Sequence, residues 1–315
     1  MSKAVTETPS DGLLLPGLDG ANPLGFLAAV GLFRTVALME GPDSARLQWE
    51  PGWGTWIPRL GCAATSASAV LELMDQHLIK DFQDHPLSSV YAIHQMDSPA
   101  HRRDSIKQYA AAVTCQDRTI ADWLAAVTSD AVPPEANNQL QTVRRDYFQR
   151  TLTTVMANTT REHLERAIFQ RWLYADALEN QSLHIDPSED RRHAYQWHKP
   201  SGDPDRKRSG GMLGANRLAI EALPLFVSLP EGMRLHTLGF AGFRSKDTRW
   251  TWPIWDRPLT FSVTSSLLTL PELQEVEFSR AAVRGLRERG VGAVFRSRRI
   301  LVAKTPNFAV AECIA

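Results

Sequence analysis

The stretch from Leu15 to Val36, LPGLDGANPLGFLAAVGLFRTV, restricts the possible folds of this 315-residue chain more than any other segment. A glycine-rich loop leads directly into an apolar helix, which is the arrangement of a phosphate-binding loop. The segment lacks both the G-x-x-x-x-G-K-[ST] pattern of a P-loop and the G-x-G-x-x-G pattern of a dinucleotide-binding turn. Small residues on one side of a helix let a neighbouring element approach closely. We therefore predict that Gly25, Ala28 and Ala29 form a buried packing face.

The order of the predicted elements indicates an α+β protein. LLLP predicts a short strand, after which Asn22 is expected to cap a helix that begins at Pro23. A hairpin is expected next, with its turn at Pro51 and Gly52. The tryptophans predicted as its strand residues are Trp49, Trp53 and Trp56.

Hydrophobic periodicity divides the rest of the chain into a helical middle and a β-rich C-terminal part. The residues from about 186 to 216 are rich in Pro, Gly and charge, and they predict a long loop. After this loop the pattern becomes that of strands, among them PLTFSV. The predicted fold is a mixed sheet domain formed by the N- and C-terminal segments with a central helical insert. Its boundaries are a disordered tail at 1–12, a sheet domain at 13–65 and 186–315, and a helical domain at 66–185.

The charge of the chain is balanced overall but uneven along the sequence. Thirty-five basic residues offset thirty-five acidic ones, which argues against a protein that coats nucleic acid non-specifically. Two segments are nonetheless strongly basic, and Arg and Lys are the residues that contact phosphates. The predicted nucleic-acid-binding residues are Arg191, Arg192, Lys199, Arg206, Lys207, Arg208, Arg284, Arg287, Arg296, Arg298 and Arg299.

The C-terminal basic segment has the more specific spacing. Arg284 and Arg287 share one face of a predicted helix, because they are three residues apart. Strand alternation puts Arg296 and Arg298 on one face of the following strand and Arg299 on the other. We predict that the first four guanidinium groups converge on one phosphate track.

The segment RWTWPIWDR predicts a strand with Trp250 and Trp252 on one face. Pro253 lacks a backbone N–H and therefore predicts an edge strand. Aromatic rings in such a position either stack on bases or fill a core. We favour the core for these two tryptophans.

A cluster of acidic and basic residues leaves a catalytic alternative open. Its members are Asp186, Glu189, Asp190, His193, His198 and Lys199. Their spacing matches no metal-binding motif, and the chain has no G-x-S-x-G nucleophile motif. We therefore predict no enzymatic activity, no metal and no cofactor. A metal-dependent nuclease that uses the three acidic residues and Lys199 is one alternative, and a scaffold that binds only proteins is the other.

Neither a membrane segment nor a signal peptide is predicted. The apolar run from Leu24 to Phe33 ends at Arg34 and is about half the ~20 residues needed to cross a bilayer. Acidic residues precede this run, unlike the basic start of a signal peptide. The three cysteines lie far apart, so that no disulfide framework or zinc site is indicated. We expect a cytoplasmic protein without membrane partners.

Several blocks of sequence together resemble one family. LDGANPLGFLAAVGLFR, DPSEDRRHAYQWHKPSGDP followed by GMLGANRLAIEALPLF, and FRSRRILVAKTPNF are similar to signature blocks of proteins of type I-G (formerly I-U) CRISPR interference systems. They are most similar to the large-subunit-like or auxiliary components of the effector complex. The blocks are spread from one end of the chain to the other.

This resemblance implies a non-catalytic subunit of a Cascade-like complex in antiviral defence. In RNA-guided complexes base pairing reads the target sequence, while the protein holds the backbone and senses a short flanking motif. The implied partners are other effector subunits, guide RNA, target DNA and the helicase-nuclease. No catalytic residue is implied.

Overall fold

The computed structural model describes residues 12–113, 118–143, 145–189, 210–243, 247–302 and 305–315. The helices named below are α1 (Pro23–Glu40), α2 (Ala67–His77), α3 (Pro86–His94), α4 (Pro99–Ala111), α5 (Thr119–Val127), α6 (Arg145–Asn158), α7 (Arg161–Phe169), α8 (Leu213–Ala222), α9 (Phe261–Leu268) and α10 (Arg280–Glu288). The strands are β1 (Leu13–Leu14), β2 (Arg46–Gly52), β3 (Thr55–Gly61), β4 (Ser228–Glu231), β5 (Arg234–Thr237), β6 (Phe240–Ala241), β7 (Arg249–Trp255), β8 (Leu259–Thr260), β9 (Val291–Val302), β10 (Thr305–Phe308) and β11 (Glu312–Cys313).

The strands form two sheets and one separate hairpin. The first sheet has the order β1-β3-β2-β8, the second has the order β10-β9-β7-β6 with β11 also paired to β9, and β4 pairs with β5. All these pairings are antiparallel. The fold is therefore α+β, as predicted.

Segments from both ends of the chain meet in the first sheet, where Leu259 of β8 pairs with Leu47 of β2. Helices α2 to α7 lie within residues 66–185, and the named strands lie outside that range. One buried apolar cluster nevertheless includes residues of every part, such as Leu27, Leu152 and Trp252. The helical middle therefore packs on the sheets through a shared core.

Helix α1 lies at the centre of this core. The side chain of Asn22 accepts hydrogen bonds from the N–H groups of Leu24 and Gly25, at 2.8 and 3.1 Å, so the predicted cap is confirmed. Every residue from Pro23 to Ala37 is buried. The predicted packing face is confirmed as well, since Gly25, Ala28 and Ala29 are fully buried.

Helix α8 packs along α1 and runs in the same direction. Gly31 of α1 lies against the backbone of Leu218, and Arg34 of α1 bonds to Glu221. In each pair the two residues are 187 positions apart in the sequence. A step forward along α1 therefore corresponds to an equal step forward along α8. A methyl group at Gly31 would overlap the carbonyl oxygen of Leu218. Glycine is required at this crossing because the two backbones touch.

Helix α1 is long and apolar enough to cross a membrane by length and composition, but 83% of its apolar window is buried inside the protein. It continues past Arg34, where the apolar run of the sequence ends. Arg34 is itself only 2% exposed. A buried ion pair with Glu221 accommodates its charge.

Aromatic rings join the two sheets beneath α1. Phe26 stacks on Trp49 of the first sheet with ring centroids 5.7 Å apart, and it lies 5.8 Å from Trp252 of the second. The indole N–H of Trp252 donates to the carbonyl of Gly20 at 2.9 Å. Trp250 and Trp252 are fully buried. The prediction that these two tryptophans belong to the core is therefore confirmed.

Strand β7 is an edge strand only in its second half, which contains Pro253. Its first two residues pair with β6 on one side and with β9 on the other. The N–H of Thr251 also points towards the β6 side, where it donates to Gly239. Pro253 faces the same side beyond the end of β6, where no N–H is needed.

The predicted turn of the β2–β3 hairpin is wrong by two residues. Pro51 pairs with Trp56 within the ladder, and the turn residues are Trp53 and Gly54. These have φ angles of +51° and +80°. A two-residue hairpin turn of this kind needs positive φ at both positions, which the ring of proline forbids.

Two other predicted boundaries are also wrong. PLTFSV forms only the two residues of β8, because the hydroxyl of Thr260 caps α9 through the N–H of Val263. The loop predicted up to residue 216 ends at 213, where α8 begins. The carboxylates of Glu189 and Asp176 accept hydrogen bonds from the N–H groups of residues 212 and 213, and thus cap α8 from a distance in sequence.

Candidate nucleic-acid interface

Strand register brings three arginines to one face of the second sheet. Arg249 of β7 is the direct partner of Arg298 of β9, and Arg296 lies two residues before Arg298 on the same face. Together with residues of the C-terminal strand they line an open groove of about 320 Å³. We call this the strand groove. Its lining residues are Arg249, Arg296, Arg298, Val310, Glu312 and Ile314.

The guanidinium group of Arg296 is engaged by its own protein. Its Nε donates to the hydroxyl of Thr251 at 2.9 Å, and its two Nη atoms donate to the carbonyls of Val276 and Glu275 at 2.6 Å each. The group also lies 5.1 Å from the ring centroid of Phe278. Burial, and then the charge of Arg249, lower its pKa. Arg296 therefore fastens the segment before α10 to the sheet.

The guanidinium group of Arg298 has a different setting. Its side chain is exposed and makes no hydrogen bond or ion pair within the described residues. Arg249 lies between these extremes, since it donates one bond to the carbonyl of Val276 at 3.3 Å. Glu312, which is paired with Arg296 across β11 and β9, is the carboxylate that lines the groove. Arg298 is therefore the side chain best placed to contact an anion.

Arg299 lies on the opposite face of β9. One Nη atom donates to the carbonyl of Gln141 at 2.9 Å, and burial lowers the pKa of the group. The structure therefore does not bring Arg299 to the strand groove.

A second open groove, of about 410 Å³, follows one face of α10. Its lining residues are Arg280, Val283, Arg284, Arg287 and Glu288. The three arginines are exposed and unpaired within the described residues. Arg284 and Arg287 thus share a helical face as predicted, but this pair and the pair on β9 line two separate grooves.

Two arginines of these surfaces, Arg280 and Arg249, were not among the predicted binding residues. Arg280 lies one turn before Arg284, so helical spacing could have identified it. Arg249 reaches the strand groove only through the register between β7 and β9, which joins residues 49 positions apart. The remaining predicted residues lie outside the described part of the chain: Arg191, Arg192, Lys199, Arg206, Lys207 and Arg208.

The described residues of the acidic cluster lie in the core. Asp186 and Glu189 are both fully buried. One oxygen of Glu189 accepts hydrogen bonds from the N–H of Met212 and the amide of Asn216 at 2.8 Å, and the other accepts from Ser182 at 2.6 Å. The hydroxyl of Tyr174 donates to Asp186 at 2.9 Å. These carboxylates hold the starts of α1 and α8 together, because the cap residue Asn22 also bonds to Asp186.

Burial and the charge of Asp186 raise the pKa of Glu189 to about 8, and burial likewise raises the pKa of Asp186. Between pH 4.5, the usual value, and about 8, the folded protein holds a proton that the unfolded chain has released. The free energy of unfolding therefore falls as pH rises through this window, by up to about 1.4 kcal/mol per pH unit.

We expect Glu189→Gln to flatten this part of the stability profile. The amide keeps both accepted bonds at one oxygen and donates to Ser182 with its nitrogen, so the variant should be at least as stable as the parent at pH 8. Urea unfolding from pH 5 to 9 measures the effect. Glu165→Gln, on the exposed face of α7, is the control and should leave the profile unchanged. An unaltered slope in Glu189→Gln would mean that Glu189 is not the group that holds the extra proton of the folded protein.

The other members of the cluster, Asp190, His193, His198 and Lys199, lie outside the described residues. Within residues 12–113, 118–143, 145–189, 210–243, 247–302 and 305–315, no group of three or more His, Cys, Asp or Glu side chains could hold a metal ion. No protein-family model, curated protein or solved structure matches this chain.

Proposed function

We propose that this chain is a non-catalytic subunit of a type I CRISPR interference complex, in which it contacts the sugar–phosphate backbone of guide RNA or target DNA. The observation that carries the proposal is the strand groove, where Arg249 and Arg298 stand directly opposite each other with Arg296 beside them. An anionic backbone is the ligand that such a surface fits.

When no ligand is bound, the arrangement of charges in the strand groove destabilises the fold. Like charges directly opposite each other on paired strands repel. Arg298 has no ion pair within the described residues, and Glu312 is one carboxylate against three guanidinium groups. A bound phosphate would offset this repulsion. The groove along α10 adds three exposed arginines of the same kind.

The resemblance to type I-G components supports the same function. The block FRSRRILVAKTPNF supplies Arg296 and Arg298, while LDGANPLGFLAAVGLFR and GMLGANRLAIEALPLF build the packed helices α1 and α8. Because base pairing reads the sequence in such complexes, a protein subunit needs backbone contacts rather than base-specific ones. The proposed partners are the other effector subunits, guide RNA, target DNA and the helicase-nuclease.

We expect Arg298→Ala to weaken nucleic-acid binding more at low salt than at high salt. Each phosphate contact contributes about 0.9 to the slope of log affinity against log salt for duplex DNA, and about 0.7 for single strands. The slope should fall by about that amount, with no change in sequence preference. Fluorescence anisotropy with labelled RNA, single-stranded DNA and duplex of one length measures this, first for the chain alone and then in the assembled complex.

Two further variants sharpen this test. Arg103→Ala removes an exposed arginine that pairs with Asp130 on the helical part of the chain, and it should leave the slope unchanged. Glu312→Gln removes the carboxylate of the strand groove and should strengthen binding. An unchanged slope in an assembled Arg298→Ala complex would rule out the strand groove as a backbone contact.

The same preparations test the two alternatives. Cleavage of DNA with magnesium or manganese that disappears in Lys199→Ala, which leaves the buried Asp186 and Glu189 in place, would favour the nuclease. Absence of any nucleic-acid affinity, in the chain alone and in the complex, would favour the protein-binding scaffold.

A further inference from the structure

Trp53 is exposed to solvent at the tip of the β2–β3 hairpin. Its side chain is 77% exposed, whereas the five tryptophans of the core are at most 1% exposed. Those five are Trp49, Trp123, Trp250, Trp252 and Trp255. A large aromatic ring ordinarily contributes to stability by leaving water, and this one does not.

The backbone at Trp53 makes this placement costly. Its φ of +51° lies in the left-handed region, which Asn, Asp and Gly adopt far more readily than other residues. The first position of such a hairpin turn strongly favours Asn, with Gly second, and Gly54 follows here as expected. A non-glycine residue held in such a conformation points to a function when folding does not explain it. The ring at position 53 is thus accessible to another molecule.

The hairpin contacts β9, the strand that carries two arginines of the strand groove. The ring of Trp56 on β3 lies 3.3 Å from the position that a Cβ of Gly292 would occupy. Gly292 belongs to β9, the strand that also carries Arg296 and Arg298, and the register with β7 shifts at this glycine. Six residues of strand separate Gly292 from Arg298, which corresponds to about 20 Å. The hairpin contact and the strand groove are thus placed at two points along one strand.

We propose that Trp53 stacks on a base of the nucleic-acid strand whose backbone contacts Arg298. This inference rests on the proposed function. The tip offers a single flat ring between Gly52 and Gly54, and no heavy atom lies within 4 Å of where a side chain at Gly54 would begin. A strand can therefore approach the ring closely from this side.

The surroundings of the ring favour a base over a protein partner. Protein interfaces need a cluster of anchors within about 800 Å² on each partner, but residues 51–56 of the tip present one exposed large hydrophobic side chain. The same six residues carry no acidic group that would repel phosphate. Two carboxylates lie near the base of the tip. Asp19 accepts hydrogen bonds from Thr55 and Ala21, and Glu50 forms an ion pair with Arg59.

The decisive variant is Trp53→Asn, because asparagine suits the turn and removes the ring. Its melting temperature should be no lower than that of the parent, while its affinity for labelled single-stranded DNA or RNA falls roughly tenfold, within a range of about 5- to 150-fold. The salt slope should stay unchanged, unlike that of Arg298→Ala. Trp53→Phe should retain most of the affinity. Met233→Ala, at the tip of the β4–β5 hairpin and 70% exposed, is the matched control and should bind normally.

Tryptophan fluorescence gives a direct second readout. Stacking on a base should quench the emission of the parent protein on binding, and this quenching should be absent in Trp53→Asn. Unchanged affinity in Trp53→Asn, together with a reduced salt slope in Arg298→Ala, would overturn the stacking alone. Loss of Trp53→Asn from the assembled complex with unaltered affinity of the isolated chain would identify a protein partner instead. If the parent binds no nucleic acid, the proposed function and the stacking both fail.

Discussion

Replacing Gly31 with alanine is expected to lower the free energy of unfolding by more than about 3 kcal/mol. One methyl group at this position would overlap the carbonyl oxygen of Leu218 and would lie 3.1 Å from the backbone nitrogen of Ala222. A side chain in the way could rotate, but a helical backbone cannot. The variant would have to separate α1 from α8, the two helices at the centre of the core.

Urea unfolding followed by circular dichroism measures this loss. Gly285→Ala is the matched control, because Gly285 is also a helical glycine but a methyl group there meets only the ends of two side chains, Arg289 at 3.4 Å and Glu272 at 4.0 Å. That variant should be stabilised by roughly 0.5–1 kcal/mol through helix propensity. A loss of less than about 1 kcal/mol in Gly31→Ala would show that the two helices can separate at little cost.

The packing of α1 shows what the sequence could predict and what it could not. The small residues predicted a buried face, and Gly25, Ala28 and Ala29 are indeed buried. The glycine that meets another helix is instead Gly31, and its partner lies 187 positions away at Leu218. Local pattern identifies which positions are small, but only the tertiary arrangement determines which of them is crossed by a second backbone.

The strand groove illustrates a second limit. Alternation along FRSRR places Arg296 and Arg298 on one face, and both residues line the groove. Alternation cannot distinguish their roles, since the bonds that engage Arg296 come from Thr251, Val276 and Glu275 in other elements. The turn at Trp53 was missed for a different reason: Pro-Gly is a common turn pair, but its proline cannot supply the positive φ that this hairpin requires.

The other large effect is expected in a second buried network, which is centred on Glu221. Glu221 of α8 accepts a hydrogen bond from Arg217 at 2.8 Å, and a 3.1 Å contact joins it to His85. Arg34 of α1 lies 3.4 Å from the other carboxylate oxygen and 5.4 Å from the ring centroid of Trp123. The Nδ1 atom of His85 accepts from the N–H of Leu87, so the neutral ring donates to Glu221 through Nε2.

Glu221→Ala is expected to cost about 3–5 kcal/mol, because it leaves Arg34 and Arg217 buried without their counter-charge. The effect should depend on pH in the opposite sense to that of Glu189. Burial alone would raise the pKa of Glu221, but Arg217, the hydrogen bond from His85 and Arg34 hold it well below the usual 4.5. The stability that ionised Glu221 provides is therefore complete above pH 4.5 and is lost as the pH falls below that value.

Unfolding from pH 3 to pH 7 in the parent, Glu221→Gln and Glu221→Ala measures this contribution. The parent should lose stability more steeply than Glu221→Gln as the pH falls, because the amide has no proton to take up, and the difference between the two should be largest near neutral pH. Parallel profiles would show that the pKa of Glu221 is the same in the folded and the unfolded protein, and that the surrounding arginines do not lower it. Since Arg34 lies on α1 and both Arg217 and Glu221 lie on α8, the network and the Gly31 crossing hold the same pair of helices. The two substitutions should therefore be less than additive when combined.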